Sequence, residues 1–326
     1  MKFQRQYLEK FPYQVEYSLN NYIRHNLTID NFKNIIICGL GGSGIAGRII
    51  KSFFYDISPV PVEVISDYSL PYYVNESSLV IISSYSGNTE ETLSLYIQAV
   101  EKHAFILAIT TGGILQELAE ENNVQVYLAE PGYQPRMALG YSLTYLSLIF
   151  SELMRQNIQN NLKSLLLNLK NTEYYLTEAG NILSGFTDRL DVKQIIITDP
   201  PTYPIGIRFA QQLQENAKTE AFVHEIPEAN HNVIETYYGK LNSNFIFIDS
   251  GLLDKITYRF QFLKELLENQ GNQVTMININ GFTMREIYNL IYTLDWLSLM
   301  IADRKGKKSN EIKNINQLKN FLSNKN

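Results

Sequence analysis

The segment Asn34-Ile35-Ile36-Ile37-Cys38 runs directly into Gly39-Leu40-Gly41-Gly42-Ser43-Gly44. A short run that is apolar at consecutive positions has no polar face to offer water. It fits a strand covered on both sides, as in a parallel sheet between helices. The glycines turn the chain, and Ile45–Phe54 then carries a helical pattern. The alternation continues, with strand candidates at Val62–Ser66, Leu79–Ser83, Phe105–Thr110 and Gln125–Ala129, and helical patterns at Thr89–Lys102 and Leu115–Asn122. Strands and helices alternating at these lengths predict a doubly wound, flavodoxin-like α/β sheet.

The second half repeats the plan. Gln194–Thr198 matches the first strand 160 positions later, and Phe222–Ile226 matches Val62–Ser66 at the same displacement. Phe245–Asp249 and Val274–Ile279 stand for the third and fourth strands. The chain therefore reads as two similar domains. Residues 1–150 form the first, with a helical N-terminal stretch broken at Pro12. Residues 151–181 are a helical connection within the stretch from Ser142 to Asn181. Residues 182–326 form the second, closed by an amphipathic tail helix at Ile312–Leu322 that should pack back on the body. The repeat is incomplete. Asp199-Pro200-Pro201-Thr202 replaces the glycine-rich turn, and the hydroxyl cluster of the first half has no counterpart. That asymmetry implies one ligand site per chain, held by the first domain.

The 326 residues are 45% hydrophobic and 19% charged, so both halves can bury a core. A formal net charge of -5 argues against a nucleic-acid binder, which would show a basic face. An anionic ligand would need local cations or backbone amides. The single cysteine, Cys38, reads as a small buried hydrophobe, and it rules out a disulfide within the chain. His25, His103, His224 and His231 are scattered and lack thiolate partners, so no metal is expected. The first residues lack an apolar leader core, and no run is long enough to span a membrane, which makes the cytoplasm the default compartment.

The chemistry concentrates in Ser84-Tyr85-Ser86-Gly87-Asn88-Thr89, a turn that ends one strand and opens a helix. In a parallel sheet this is the ligand end. A helix N-terminus offers free N–H groups and partial positive charge, Ser84, Ser86 and Thr89 add hydroxyl donors, and Gly87 admits a close approach. The combination suits a phosphate monoester. Capping by Thr89 would explain one hydroxyl but not three. Gly39, Gly41 and Gly44 also satisfy the dinucleotide pattern G-x-G-x-x-G, with Glu63 or Asp67 at the ribose position, but a lone match is a weak indicator.

Gly41-Gly42-Ser43 together with Ser84–Thr92 resembles the sugar-isomerase (SIS) domain. Pro135-Arg136-Met137-Ala138-Leu139-Gly140-Tyr141, Glu215-Asn216-Ala217-Lys218 and Glu228-Ala229-Asn230-His231-Asn232 narrow this to the bifunctional phosphoglucose/phosphomannose isomerase family, from about Ile35 to the C-terminus. The resemblance implies two SIS domains and an aldose–ketose isomerase of hexose 6-phosphates. It implies that Gly42, Ser43, Ser84, Ser86 and Thr89 hold the phosphate, that Arg136 lies near the reacting carbons, and that Glu215 shuttles the proton. It further implies that His231 opens the ring from a neighbouring subunit of a homodimer, and that Lys319 matches a lysine near the family's C-terminus. No cofactor is implied. Two positions depart from the family: Arg48 stands where an acidic residue is common, and Ile312 where some members have a threonine linked to the mannose epimer.

A carboxylate can carry a proton between adjacent carbons through an enediolate, an arginine stays cationic beside the developing charge, and a histidine titrates near neutrality. Taken alone, Glu215 reads as a solvated helix position near Lys218, His231 as a turn residue between asparagines, and Lys319 as part of a lysine-rich solvated face. Three other functions fit parts of the pattern: a non-catalytic sugar-phosphate sensor, an isomerase of another sugar phosphate, and a nucleotide-dependent dehydrogenase.

Overall fold

The computed structural model describes residues 2–186 and 189–323. Two helices, α1 (Lys2–Glu9) and α2 (Phe11–Asn20), lead into β1 (Asn34–Cys38), α3 (Gly41–Phe53), β2 (Val62–Ile65), β3 (Ser78–Ser84), α4 (Glu90–Glu101), β4 (Phe105–Thr110), α5 (Gly113–Glu121) and β5 (Gln125–Leu128). Three helices follow: α6 (Leu139–Leu153), α7 (Gln159–Leu169) and α8 (Thr172–Ser184). The second half contains β6 (Lys193–Thr198), α9 (Tyr203–Gln212), β7 (Ala221–Glu225), β8 (Ser243–Asp249), α10 (Asp254–Asn269), β9 (Val274–Asn278), α11 (Met284–Arg304) and α12 (Lys313–Ser323).

Both sheets are parallel, with orders β2-β1-β3-β4-β5 and β7-β6-β8-β9. The first is the flavodoxin-like order, and the second repeats it without the fifth strand. Ile35 pairs with Val62 as Ile195 pairs with Phe222, so the 160-residue displacement read from the sequence is a true register match. Every residue of β3 is buried, as a strand covered on both faces requires.

Alternate residues of each strand feed different cores. Ile35 and Ile37 of β1 and Ile246 and Ile248 of β8 join one continuous apolar cluster that also takes in α2, α3, α6, α7, α8, α9 and α11. Ile36 and Cys38 face the opposite cluster under α4 and α5, and Phe245 and Phe247 face a third under α10. The two sheets thus sandwich a shared layer of helices, in which α3 packs against α9. Cys38 is fully buried in β1, and burial raises its thiol pKa.

One expectation gains detail and one needs correction. The helical stretch from Ser142 to Asn181 is three helices, broken at Arg155, where φ is 52°, and again at Lys170–Asn171. The tail helix α12 forms but does not bury its apolar face in this chain: Leu318 is 57% and Phe321 59% exposed. Among the described residues, no helix is long and apolar enough to cross a membrane.

Candidate active site

In the first sheet, β1 and β3 are neighbours whose outgoing chains cross to opposite faces. Open α/β sheets bind ligands at such switch points, outside the carboxyl ends of the strands. Gly39–Gly44 leaves β1 there and Ser84–Thr89 leaves β3. Ser84 Oγ donates to Thr89 Oγ1 at 3.2 Å, and the Asn88 N–H donates to Ser86 Oγ at 3.2 Å. The Ser86 hydroxyl hydrogen stays available to a ligand. Thr89 precedes α4 but its side chain makes no capping bond, so the first turn of α4 keeps its donors for another acceptor. Gly87 has φ +69°, and a Cβ there would lie 1.8 Å from Gly112 O, so only glycine fits. The loop is held from behind: Tyr85 OH donates to Glu130 O at 2.8 Å, and the Leu115 N–H donates to Gly87 O at 2.9 Å.

The start of α3 meets the Pro135–Met137 turn. A Cβ on Gly42 would come within 3.0 Å of Pro135 O and 3.7 Å of Arg136 Cα. Ser43, Ser83, Thr110, Pro135 and Ser142 line one small gap between the two loops and this turn. The glycine therefore lets the N-terminus of α3 approach the backbone that carries Arg136.

Arg136 is almost fully buried, and all three guanidinium nitrogens are engaged. Nη1 lies 3.2 Å from Glu215 Oε2, Nε donates to Asn216 Oδ1 at 3.2 Å, and Nη2 donates to Ser309 O at 2.6 Å. Burial pulls its pKa below the usual arginine value, and the Glu215 carboxylate pushes it back up. Glu215 owes its position to a wide π-helical turn, Leu213–Ala217, at the end of α9. The Lys218 N–H reaches back to Leu213 O, and Lys218 itself is left-handed, with φ 54°. Such turns re-aim side chains and recur at functional sites. The Lys218 ammonium donates to Glu215 O and, at 2.6 Å, to Glu311 O. Burial lowers its pKa, with Arg136 adding to the effect.

Three consecutive carbonyls of the C-terminal segment are thus held at the site, because Gln134 Nε2 also donates to Asn310 O at 3.3 Å. The structure brings Gly42, Arg136 and Glu215 together. It does not bring in two others. His231 is exposed at the end of a short turn, Glu228–His231, and makes no side-chain hydrogen bond among the described residues. Lys319 is exposed on α12.

The switch point of the second sheet, between β6 and β8, is filled from within. Asp199 Oδ1 accepts the Thr202 N–H at 3.1 Å and the Thr202 hydroxyl; Oδ2 accepts the Ser250 N–H at 3.1 Å and the Ser250 hydroxyl. A built-in carboxylate takes the donors that the first sheet leaves open.

Residues 28–148 match the SIS domain family, and residues 188–322 match the family described as bacterial phospho-glucose isomerase C-terminal SIS domain. The chain is 34% identical to a bifunctional phosphoglucose/phosphomannose isomerase of Caldicellulosiruptor bescii, over 96% of each chain. It belongs to the bifunctional phosphoglucose/phosphomannose isomerase family. Membership makes it an aldose–ketose sugar-phosphate isomerase. The Aquifex aeolicus member is 31% identical over 89% of this chain and 91% of its own. A D-glucosamine-6-phosphate 4-epimerase of Sulfolobus acidocaldarius is 34% identical over 69% of this chain and 71% of its own. In fold, the isomerase resembles the C-terminal domain of a glucosamine-fructose-6-phosphate aminotransferase from Francisella tularensis, with TM-score 0.71, 17% identity and coverage of 93% and 96% of the two chains.

Asn216 and Lys218 stand in the sequence only as parts of a motif, and Arg208, Asp295 and Ser298 belong to no motif there. The available signal was a single charge inside each of two apolar helices, Ile207-Arg208-Phe209 and Leu294-Asp295-Trp296.

Proposed function

We propose that this isomerase interconverts glucose 6-phosphate and fructose 6-phosphate through an enediolate, in the cytoplasm and as a homodimer. Glu215 takes the proton from C2 of the open-chain aldose and returns it to C1. Arg136 stabilises the charge that develops on the oxygens. Gly42, Ser43, Ser84, Ser86 and Thr89 hold the phosphate at the first switch point. The observation that carries this reading is the 3.2 Å contact between Arg136 and Glu215, at the turn where Gly42 brings α3 against Pro135. His231 supplies the acid/base for ring opening from a second copy, which accounts for its exposure within one chain. Lys319 is delivered by α12, which begins two residues after the Glu311 carbonyl held by Lys218.

The deciding assay is conversion of fructose 6-phosphate, with glucose 6-phosphate and mannose 6-phosphate read separately and glucosamine 6-phosphate offered in parallel. Glucose 6-phosphate is the expected main product. Epimerisation of the amino sugar with no ketose conversion would replace this reading by that of the epimerase relative.

Three variants probe the site's parts. Ser86→Ala removes a donor to a charged group, worth about 1.5–3 kcal/mol, so calorimetry should show roughly a tenfold or greater loss in hexose-phosphate affinity. Unchanged affinity would remove Ser86 from the cradle. Glu215→Gln and His231→Ala are each expected to be inactive alone and to regain activity when mixed and allowed to exchange subunits. No recovery from two well-folded variants that do exchange would refute a site shared between copies.

A further inference from the structure

Arg136 is gripped at both ends by one closed circuit of buried groups. Arg208 of α9 donates from Nη2 to the Arg136 carbonyl at 3.0 Å, and the same nitrogen pairs with Asp295 Oδ2 of α11. One helical turn on, Ser298 Oγ donates to the Asp295 carbonyl at 2.7 Å and accepts from Asn216 Nδ2 at 2.9 Å. Asn216 Oδ1 returns to Arg136 Nε at 3.2 Å, which closes the circuit. All five residues are buried.

We propose that Arg208, Asp295 and Ser298 are positioning residues that set the Arg136 guanidinium against the Glu215 carboxylate. The inference rests on the reading of Arg136 and Glu215 given above. A buried ion pair is poor value as a source of stability, because desolvation consumes most of the attraction. This one is also incompletely bonded: Arg208 Nε finds no acceptor among the described residues. Burial pushes the Asp295 carboxyl up, and Arg208 pulls it back down. What the pair does achieve is geometric. It fixes the carbonyl of Arg136, while Ser298 fixes, through Asn216, both the Arg136 Nε and the residue next to Glu215. The Pro135–Met137 turn, the Leu213–Ala217 turn and α11 are thereby locked in one arrangement. The Ser84–Thr89 turn, which supplies three of the proposed phosphate donors, lies outside the circuit.

The test is kcat and KM for fructose 6-phosphate in Ser298→Ala, Arg208→Met and Arg208→Lys, each with a thermal unfolding curve and with Glu215→Gln alongside. A misplacement of about 1 Å at a reacting group can cost 10²-fold, so Ser298→Ala and Arg208→Met should lose roughly 10- to 100-fold in kcat. KM should change far less than kcat, because the Ser84, Ser86 and Thr89 hydroxyls are untouched. Arg208→Lys should recover most of the loss, because one ammonium can donate to both Arg136 O and Asp295. A folded Ser298→Ala with unchanged kcat would overturn the proposal, as would a loss that only tracks the unfolded fraction. So would Arg208→Lys no better than Arg208→Met at equal stability. If Arg208→Met does not fold, Ser298→Ala and Arg208→Lys still decide. An active Glu215→Gln would instead sink the reading of Glu215, and the circuit would then have no reacting pair to position.

Discussion

Glu215→Gln is expected to lower kcat for fructose 6-phosphate by about 10²–10⁴-fold, the usual worth of a positioned general base. The substitution keeps the size and shape of the side chain. Its amide oxygen can still accept from Arg136, which also remains bonded to Asn216 and Ser309. The Glu215 side chain is 32% exposed, so the ion pair is partly screened, and its loss should cost no more than about 1 kcal/mol of stability. The melting curve should therefore barely move while activity collapses. Affinity for the sugar phosphate should persist, because the cradle at Ser84–Thr89 is unchanged. The informative accompaniment is exchange of the transferred hydrogen with solvent, at C1 of fructose 6-phosphate or C2 of glucose 6-phosphate. A proton shuttle that is lost takes this exchange with it, whereas a defect in ring opening alone would leave exchange intact for the open-chain sugar. A glutamine variant that retains a tenth or more of wild-type turnover would remove Glu215 from the role.

The strands were legible because a parallel sheet covered on both faces leaves its mark in composition alone. Ile35-Ile36-Ile37 and Ile196-Ile197 need no partner to be recognised as buried. The Ser84–Thr89 turn was legible for a similar reason: three hydroxyls and a glycine ahead of a helix are a local pattern, and the structure places them between β3 and α4. What failed to show depends on groups far apart in the chain. Arg208 and Asp295 are 87 positions apart, and nothing near either one announces the other. The wide turn at Leu213–Ala217 differs from an ordinary helix end by one residue of hydrogen-bond register, which leaves no trace in residue type. The pattern of α12 identified its apolar face but not what covers it, so the expectation that it packs on its own body came from periodicity where only tertiary contact could decide. Nothing in Asp199-Pro200-Pro201-Thr202 announces that the Asp199 carboxylate accepts the N–H groups of both Thr202 and Ser250.

Asp199→Ala is expected to cost about 3 kcal/mol or more, because three buried donors lose their acceptor at about 1–3 kcal/mol each. The Thr202 hydroxyl can turn to Ile248 O, 3.2 Å away, so the loss falls mainly on the N–H groups of Thr202 and Ser250 and on the Ser250 hydroxyl. These groups close the ends of β6 and β8 at the centre of the second sheet, where water has no ready access. Ordinary truncation of a buried side chain would give a similar drop, so the drop alone is not the decisive result. If the carboxylate stands in for a bound anion, its removal opens a small anion site of the same design as the one proposed at Ser84–Thr89. Acetate or inorganic phosphate should then raise the melting temperature of Asp199→Ala by more than that of the wild type, by mass action on the folded state. Calorimetric scans across an anion titration at constant ionic strength make the comparison. Equal shifts in both proteins would show that Asp199 merely fills space. A larger shift in the variant would mean that the two halves share one anion-binding geometry, and that the second keeps it closed with a side chain of its own, which leaves hexose phosphate a single place to bind in each chain.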